Sequence, residues 1–201
     1  SNMSPVRWDF DLVHQPYTKR YPLVKEPETS IFITDGGKKA VIHVGDSKEG
    51  WVSALREFFT LITDPDLESV KTISVHYDYI REKGSRLKTF GGTASGYEPL
   101  RDMFEGIKNV IMGTLDPTIE KMEGIPGTNW LIPRPIHILD MGNLIGNNVV
   151  VGGVRRTAEI FLSDADDWEV ILAKYGINGI WDEDKHNVVI EKLEELGVDA
   201  Q

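Results

Sequence analysis

The sequence contains no cysteine among its 201 residues, which excludes disulfides, thiolate metal sites and cysteine nucleophiles. Basic residues are also in the minority, because 22 Lys and Arg face 32 Asp and Glu and leave a net charge of −10. Nucleic acids and anionic membranes require clustered cations, so neither is expected as a partner. The chain has no apolar run near the ~20 residues that span a bilayer and no signal-peptide pattern. We therefore expect a cytoplasmic protein, in which any nucleotide meets a local basic pocket.

Metal-binding patterns are also absent at the level of sequence spacing. No HxxxH or HxH pair occurs among the five histidines, which are His14, His43, His76, His137 and His186. The acidic runs at 164–167 and 182–184 lack the alternating ligands and turn glycine of a calcium loop. We expect these runs to cap the helices that follow them, and we predict no metal site.

The pattern of apolar residues and turn formers predicts an α/β fold. The first 30 residues carry four prolines among aromatic and charged residues, which indicates an extended arm that lies on another surface. Ser1 and Asn2 before Met3 are typical of a protease scar. Strands are predicted at 31–34, 40–44, 70–77 and 157–162, the first two as a hairpin around residues 35–37. Helices are predicted from about 51 to Pro65, where Asp46 or Ser47 is the cap, and at 99–111, 136–150, 168–175 and 185–196.

A basic, glycine-rich loop follows the third predicted strand. The segment 80–100 reads IREKGSRLKTFGGTASGYEPL, and its cations are interleaved with glycines: Arg81, Lys83, Arg86 and Lys88 with Gly84, Gly91 and Gly92. A loop that presents cations and backbone N–H groups together is typical of phosphate sites. As a bare pattern it also fits a solvated basic loop without a ligand.

A second anion-binding pattern follows the third predicted helix. The segment 143–159 reads NLIGNNVVVGGVRRTAE. Gly152 and Gly153 allow close approach of the backbone to a ligand, and Arg155 and Arg156 supply planar donor groups suited to phosphate. The alternative is that these arginines pair with Glu159 or another acidic neighbour.

Together the two segments resemble the large subunit of ribonucleotide reductase, and their order is closest to the adenosylcobalamin-dependent (class II) enzymes. GDSKEGWVSALREFF at 45–59 is also similar to the DSxEGW helix that precedes the first loop in that family. The resemblance implies an oxidoreductase of deoxyribonucleotide synthesis for DNA replication, with adenosylcobalamin and its cobalt in the parent enzyme. It further implies that residues 31–201 are part of a ten-stranded α/β barrel with effector-binding loops, preceded by the arm at 1–30.

The same resemblance suggests roles for individual residues. It assigns Arg81 and Lys88 to the phosphates of a deoxynucleoside triphosphate effector, and Leu87 to its base. Asp46 would accept a hydrogen bond from the effector ribose, although capping of the following helix is an alternative role. The second loop, with Gly152, Gly153, Arg155 and Arg156, would lie between effector and ribonucleotide substrate, and Arg155 would reach toward the substrate.

These observations predict a fragment of a reductase catalytic chain. The family passes a radical through cysteines, so a chain without cysteine is expected to bind effector but not to catalyse, and not to bind cobalamin itself. Its partners would be the effector, the substrate in the parent enzyme, and the rest of the reductase chain. One alternative is a stand-alone, non-catalytic nucleotide-binding or assembly module. Another is a hydrolase, which only the paired carboxylates favour.

Overall fold

The computed structural model describes residues 4–15, 26–87, 92–148, 160–177, 180–181 and the separate positions 183, 184, 187, 191 and 195. Its strands are β1 (Val6–Arg7), β2 (Asp11–Gln15), β3 (Ser30–Thr34), β4 (Lys39–His43), β5 (Thr72–His76), β6 (Arg86–Leu87), β7 (Gly92–Thr93), β8 (Glu123–Gly124), β9 (Trp130–Ile132), β10 (Gly176–Ile177) and β11 (Ile180–Trp181). Its helices are α1 (Lys48–Thr63), α2 (Glu98–Met112), α3 (Pro135–Asn148) and α4 (Trp168–Tyr175). None of the helices in this described part has the length and apolar character needed to cross a bilayer.

A mixed four-stranded sheet, in the order β2-β5-β4-β3, positions the residues of interest. β2 and β4 both run parallel to β5, and β3 runs antiparallel to β4. β3 and β4 form the predicted hairpin, whose turn has positive φ at Asp35, Gly36 and Gly37. α1 lies between β4 and β5 in the chain, because parallel neighbours require a crossover connection.

One face of this sheet belongs to the hydrophobic core. Side chains alternate between the faces along a strand, and the members of β4 and β5 on the core face are fully buried: Ala40, Ile42, Ile73 and Val75. α1 and α2 contribute to the same core, where the ring centroids of Phe58 and Phe104 lie 5.1 Å apart. The opposite face carries His43 and His76 at the carboxyl ends of the two strands.

α2 and α3 are antiparallel neighbours. A Cβ atom at Gly106 would lie 2.9 Å from the side chain of Leu144, so the helices approach closely there. Earlier in α2 and later in α3, Nδ2 of Asn148 donates to Sδ of Met103 over 3.4 Å. Because later residues of α3 contact earlier residues of α2, the start of α2 and the end of α3 lie at the same end of the pair.

The N-terminal segment is extended in its described part, but it packs on this chain's own domain. β1 pairs with β9 and β2 pairs with β5. The fully buried Arg7 donates from Nε and Nη2 to the carbonyl oxygen of Leu61, over 3.1 and 2.9 Å. Residues 4–15 are therefore not an arm on a separate surface, because the sheet edge and a carbonyl near the end of α1 give them partners here.

The α/β class and most of the expected elements are confirmed. The hairpin, α1, β5, α2 and α4 lie where the sequence predicts them, and α3 is described to Asn148. The predicted strand at 157–162 is wrong in its described part: residues 160–162 form no strand, and Ile160 and Leu162 are 84% and 88% exposed. Short apolar runs become strands only where another strand pairs with them. A ten-stranded barrel is not seen in the described residues, whose largest sheet has four strands.

Candidate functional site

At the start of α1, the residue that caps the helix is Ser47 and not Asp46. Ser47 is the N-cap, and its Oγ accepts a hydrogen bond from the backbone N–H of Gly50 over 2.8 Å. The same hydroxyl donates to the carbonyl oxygen of Pro27 over 2.6 Å. Asp46 is thus not the cap that the sequence left as an alternative, and its carboxylate has another partner.

That partner is Arg81. Nε of Arg81 donates to Oδ2 of Asp46 over 2.7 Å, and the Arg81 backbone N–H lies 3.4 Å from Oδ1. The two residues follow β4 and β5, and parallel neighbouring strands deliver the chain to the same sheet edge. The Asp46 side chain is 10% exposed and that of Arg81 is 34% exposed. Two of the predicted effector-binding residues, 35 positions apart in sequence, therefore form one ion pair with its arginine open to solvent.

The glycine-rich loop continues beyond Arg81. β6 and β7 form a short antiparallel ladder in which the backbone of Leu87 is opposite Gly92. The backbone N–H of Gly84 donates to the carbonyl oxygen of Ala94 over 2.9 Å. Gly84 and Gly96 have φ of 89° and 78°, which favours glycine at both positions. Lys88 and the rest of the segment 88–91 lie outside the described residues.

The second predicted loop follows α3. Its candidate residues all lie outside the described part of the chain: Gly152, Gly153, Arg155 and Arg156. The helix that leads into it is described, and α3 ends beside the start of α2. α2 follows the first loop, and α3 precedes the second loop. The first residues of α2 and the last described residue of α3 therefore lie at the same end of the α2–α3 pair.

A hydrogen-bonded aromatic network supports the sheet edge behind the first loop. The buried Tyr77 hydroxyl lies 2.7 Å from Nδ1 of His14, and Nε2 of His14 lies 2.7 Å from Oε1 of Glu105 on α2. The rings of Tyr77 and Tyr97 stack with centroids 5.0 Å apart. Burial raises the pKa of the Tyr77 phenol, so it stays protonated and acts as a structural hydrogen-bonding group.

The sheet also brings together three potential metal ligands that the sequence spacing did not reveal. His43, His76 and Asp78 each offer a ligand atom, and these atoms lie within 4.8 Å of one another. Burial, followed by the neighbouring His43, holds the pKa of the His76 imidazole below its usual value. Only the register of β4 and β5 makes the two histidines neighbours, so a search for local HxH or HxxxH patterns could not find them.

Comparisons with known proteins support the resemblance of the motifs. Residues 27–111 match the family model of the B12-dependent ribonucleotide reductase, insertion domain. An adenosylcobalamin-dependent ribonucleoside-triphosphate reductase of Euglena gracilis is 36% identical over 138 residues, which are 67% of this chain and 16% of that protein. The corresponding enzyme of Lactobacillus helveticus is 35% identical over 134 residues, 65% of this chain and 16% of the relative.

The fold has a counterpart among solved structures. A crystal structure of a B12-dependent (class II) ribonucleotide reductase superimposes with a TM-score of 0.56 and 24% sequence identity. The match covers 91% of this chain and 23% of the solved chain. The likeness concerns the fold, and the present chain spans about a sixth of the length of the curated relatives it matches.

Proposed function

This chain belongs to the B12-dependent (class II) ribonucleotide reductases, and we propose that, as a segment of such a reductase, it carries the deoxynucleotide specificity site. The complete enzyme would reduce ribonucleotides to deoxyribonucleotides with adenosylcobalamin. In this proposal the segment binds a deoxynucleoside triphosphate effector. It makes no direct contribution to the chemistry.

The observation that supports the proposal most is the ion pair between Asp46 and Arg81. The ribose and the phosphates of one nucleotide are adjacent groups, so residues that contact them must themselves be close together. A distance of 2.7 Å between Nε and Oδ2 meets this requirement. Asp46 holds Arg81 through Nε, while a guanidinium has further N–H donors on its two terminal nitrogens that suit phosphate oxygens.

The remaining predicted residues complete the proposed site from the two loops. Lys88 would add a second cation for the phosphates, and Leu87 would contact the effector base. Gly152, Gly153, Arg155 and Arg156 would form the loop between effector and substrate. The antiparallel packing of α2 and α3 supports this arrangement, because the first residues of α2 and the last described residue of α3 lie at one end of the helix pair.

Catalysis is assigned to other parts of the parent enzyme. A sequence without cysteine has no residue that can form a thiyl radical or supply a reducing thiol pair. Cobalamin does not fit the cavity lined by residues of α2, α3 and the segment between them, among them Val110, Ile119 and Asp140. That cavity has a volume of about 10 Å³, which is roughly the space of one water molecule and far too small for a corrin.

Calorimetric titration of the chain with each of the four deoxynucleoside triphosphates tests the proposal. Arg81→Met should weaken binding of all four alike, by about tenfold or more, because a charged hydrogen bond to phosphate contributes roughly 1.5–3 kcal/mol and carries no information about the base. Arg56→Met is the matched control, since Arg56 is an exposed cation in the third turn of α1 and should leave affinity unchanged.

Two outcomes would contradict the proposal. One is the absence of any deoxynucleotide binding at millimolar concentration by the folded chain. The other is equal affinity for inorganic triphosphate and for all four deoxynucleotides, because a specificity site must recognise the base and the sugar. Circular dichroism of each variant separates lost binding from lost folding.

A further inference from the structure

The outer face of the four-stranded sheet carries a pair of histidines in direct register. His43 ends β4 and His76 ends β5, and the two are cross-strand partners. Partners in register point to the same side of a sheet, and here the ring centroids are 4.7 Å apart. Asp78 follows His76 by two residues and joins the cluster. All three side chains are half-buried, so they are held by the fold yet accessible to an ion.

The distances suit a metal ion after a small closing movement. The three ligand atoms lie within 4.8 Å of one another. Ligands bound to one ion at about 2.0–2.2 Å are themselves about 3–3.5 Å apart. Closure by about 1 Å is within reach of side-chain rotation at the ends of two strands. Because the histidines come from paired strands, their Cα positions need not move.

The donor set selects the class of ion. Two imidazole nitrogens and one carboxylate oxygen are typical ligands of zinc and other divalent first-row transition metals. Calcium and magnesium take oxygen ligands instead, so a site with two nitrogens disfavours them. The ligands carry one negative charge when the histidines are neutral, which partly balances a divalent cation. Water would complete the coordination.

The surroundings restrain both imidazole rings. Oγ of the buried Ser74 lies 3.1 Å from Nε2 of His76. Metal-binding histidines commonly make such a bond through the other ring nitrogen, which orients the ring and selects its tautomer. The His43 ring also contacts the rings of Phe32 and Tyr79, with centroids 5.9 and 5.8 Å away. These contacts already restrict the orientation of both rings, so the rings lose little rotational freedom when an ion binds.

We propose that His43, His76 and Asp78 form a binding site for a divalent transition-metal ion such as Zn²⁺ or Co²⁺. This ion is held by protein side chains and is separate from the cobalt of cobalamin. It would tie together the ends of β4 and β5, three residues before Asp46 and five residues before Arg81. The site does not depend on the proposed effector function, because no nucleotide contact enters the argument.

The test is titration of the metal-free chain, with any polyhistidine tag removed, by Co²⁺ and Zn²⁺. We expect one equivalent of Co²⁺ to bind, to produce visible d–d absorption bands, and to be displaced by Zn²⁺. Mg²⁺ in millimolar excess should not compete. His43→Gln and His76→Gln should each weaken Co²⁺ binding by at least about tenfold, the lower end of what even outer-shell changes cost. Asp78→Asn should weaken it in the same direction.

His14→Gln is the matched control. His14 lies on the opposite face of the sheet with both ring nitrogens already engaged by Tyr77 and Glu105, so its loss should not change affinity for Co²⁺. A measurement on the unmutated chain guards against misfolded variants: bound Co²⁺ should shift or broaden the imidazole NMR signals of His43 and His76, but not those of His137. Lack of saturable Co²⁺ binding would overturn the proposal. Binding that survives His43→Gln and His76→Gln would also overturn it, since surface carboxylates would then hold the ion.

Discussion

Replacing Asp46 and Arg81, singly and together, measures how strongly the ion pair is formed in solution. Asp46→Asn keeps the shape of the side chain and removes its charge, and Arg81→Met keeps most of the aliphatic stem. The free energies of unfolding of the wild type, both single variants and the double variant form a thermodynamic cycle. The coupling energy from this cycle isolates the interaction between the two side chains.

The magnitude follows from the geometry and the exposure of the pair. Fully exposed ion pairs contribute about 0.2–1 kcal/mol, whereas breaking a fully buried pair costs about 3–5 kcal/mol. The bond of 2.7 Å joins a carboxylate that is 10% exposed to a guanidinium that is 34% exposed. Solvent around Arg81 screens part of the interaction, so we expect a coupling energy of about 1–2 kcal/mol.

Urea unfolding at low and at molar salt is the assay. The coupling of Asp46 and Arg81 should decrease only in part at high salt, because Asp46 is largely shielded from water. The ion pair between Arg101 and Asp102, which are adjacent in the chain, serves as the control, since its side chains are 37% and 67% exposed. Its coupling should stay below about 0.5 kcal/mol and vanish in salt. A coupling between Asp46 and Arg81 no larger than this control would refute the pairing and remove the main support for the proposed site.

Two further predictions concern the fold. The buried His137 accepts a backbone N–H at Nδ1 and donates from Nε2 to a carbonyl, and burial holds the pKa of its imidazole below its usual value. As pH falls, His137 is therefore protonated in the unfolded chain before it is protonated in the folded chain. The stability that this difference contributes is fully present above about pH 6.5. It is lost as pH falls toward the folded-state pKa, by at most about 1.4 kcal/mol per pH unit. His137→Gln should flatten the profile of unfolding free energy in that window; an unchanged slope would mean that His137 does not titrate there. In Gly45→Ala, the new Cβ would lie 2.3 Å from the carbonyl oxygen of Pro27, so we expect a loss of about 3 kcal/mol in urea unfolding. Gly124→Ala, whose Cβ meets nothing nearer than 3.9 Å, should stay within about 0.5 kcal/mol of wild type, and equal losses would contradict the contact.

The sequence by itself determined the elements whose signals are local. Helical spacing of apolar residues predicted α1, α2 and α4, and the turn at Asp35–Gly37 predicted the β3–β4 hairpin. These signals suffice because a helix or a hairpin is stabilised by residues close together in the chain. The loop motifs also identified the family, because order and spacing along the chain are properties of the sequence alone.

Pairings between distant segments were decided only by the tertiary structure. Asp46 could cap α1 or face a ligand, and the structure gives the cap to Ser47 and pairs Asp46 with Arg81. Nothing local distinguishes these outcomes, since they depend on β4 and β5 being parallel neighbours. The strand prediction for residues 160–162 is wrong for the same reason. An apolar run indicates a preference for burial, but a strand also needs a partner strand with which its backbone can form hydrogen bonds.

The histidine cluster illustrates the difference most directly. His43 and His76 are 33 positions apart in the sequence, where neither has a spacing typical of metal ligands. They become neighbours because β4 and β5 pair with His43 opposite His76, and a shift of one residue would turn one ring into the core. The chemistry of each side chain was readable from the sequence, whereas their common position depended on strand register, which the packing of the apolar face determines.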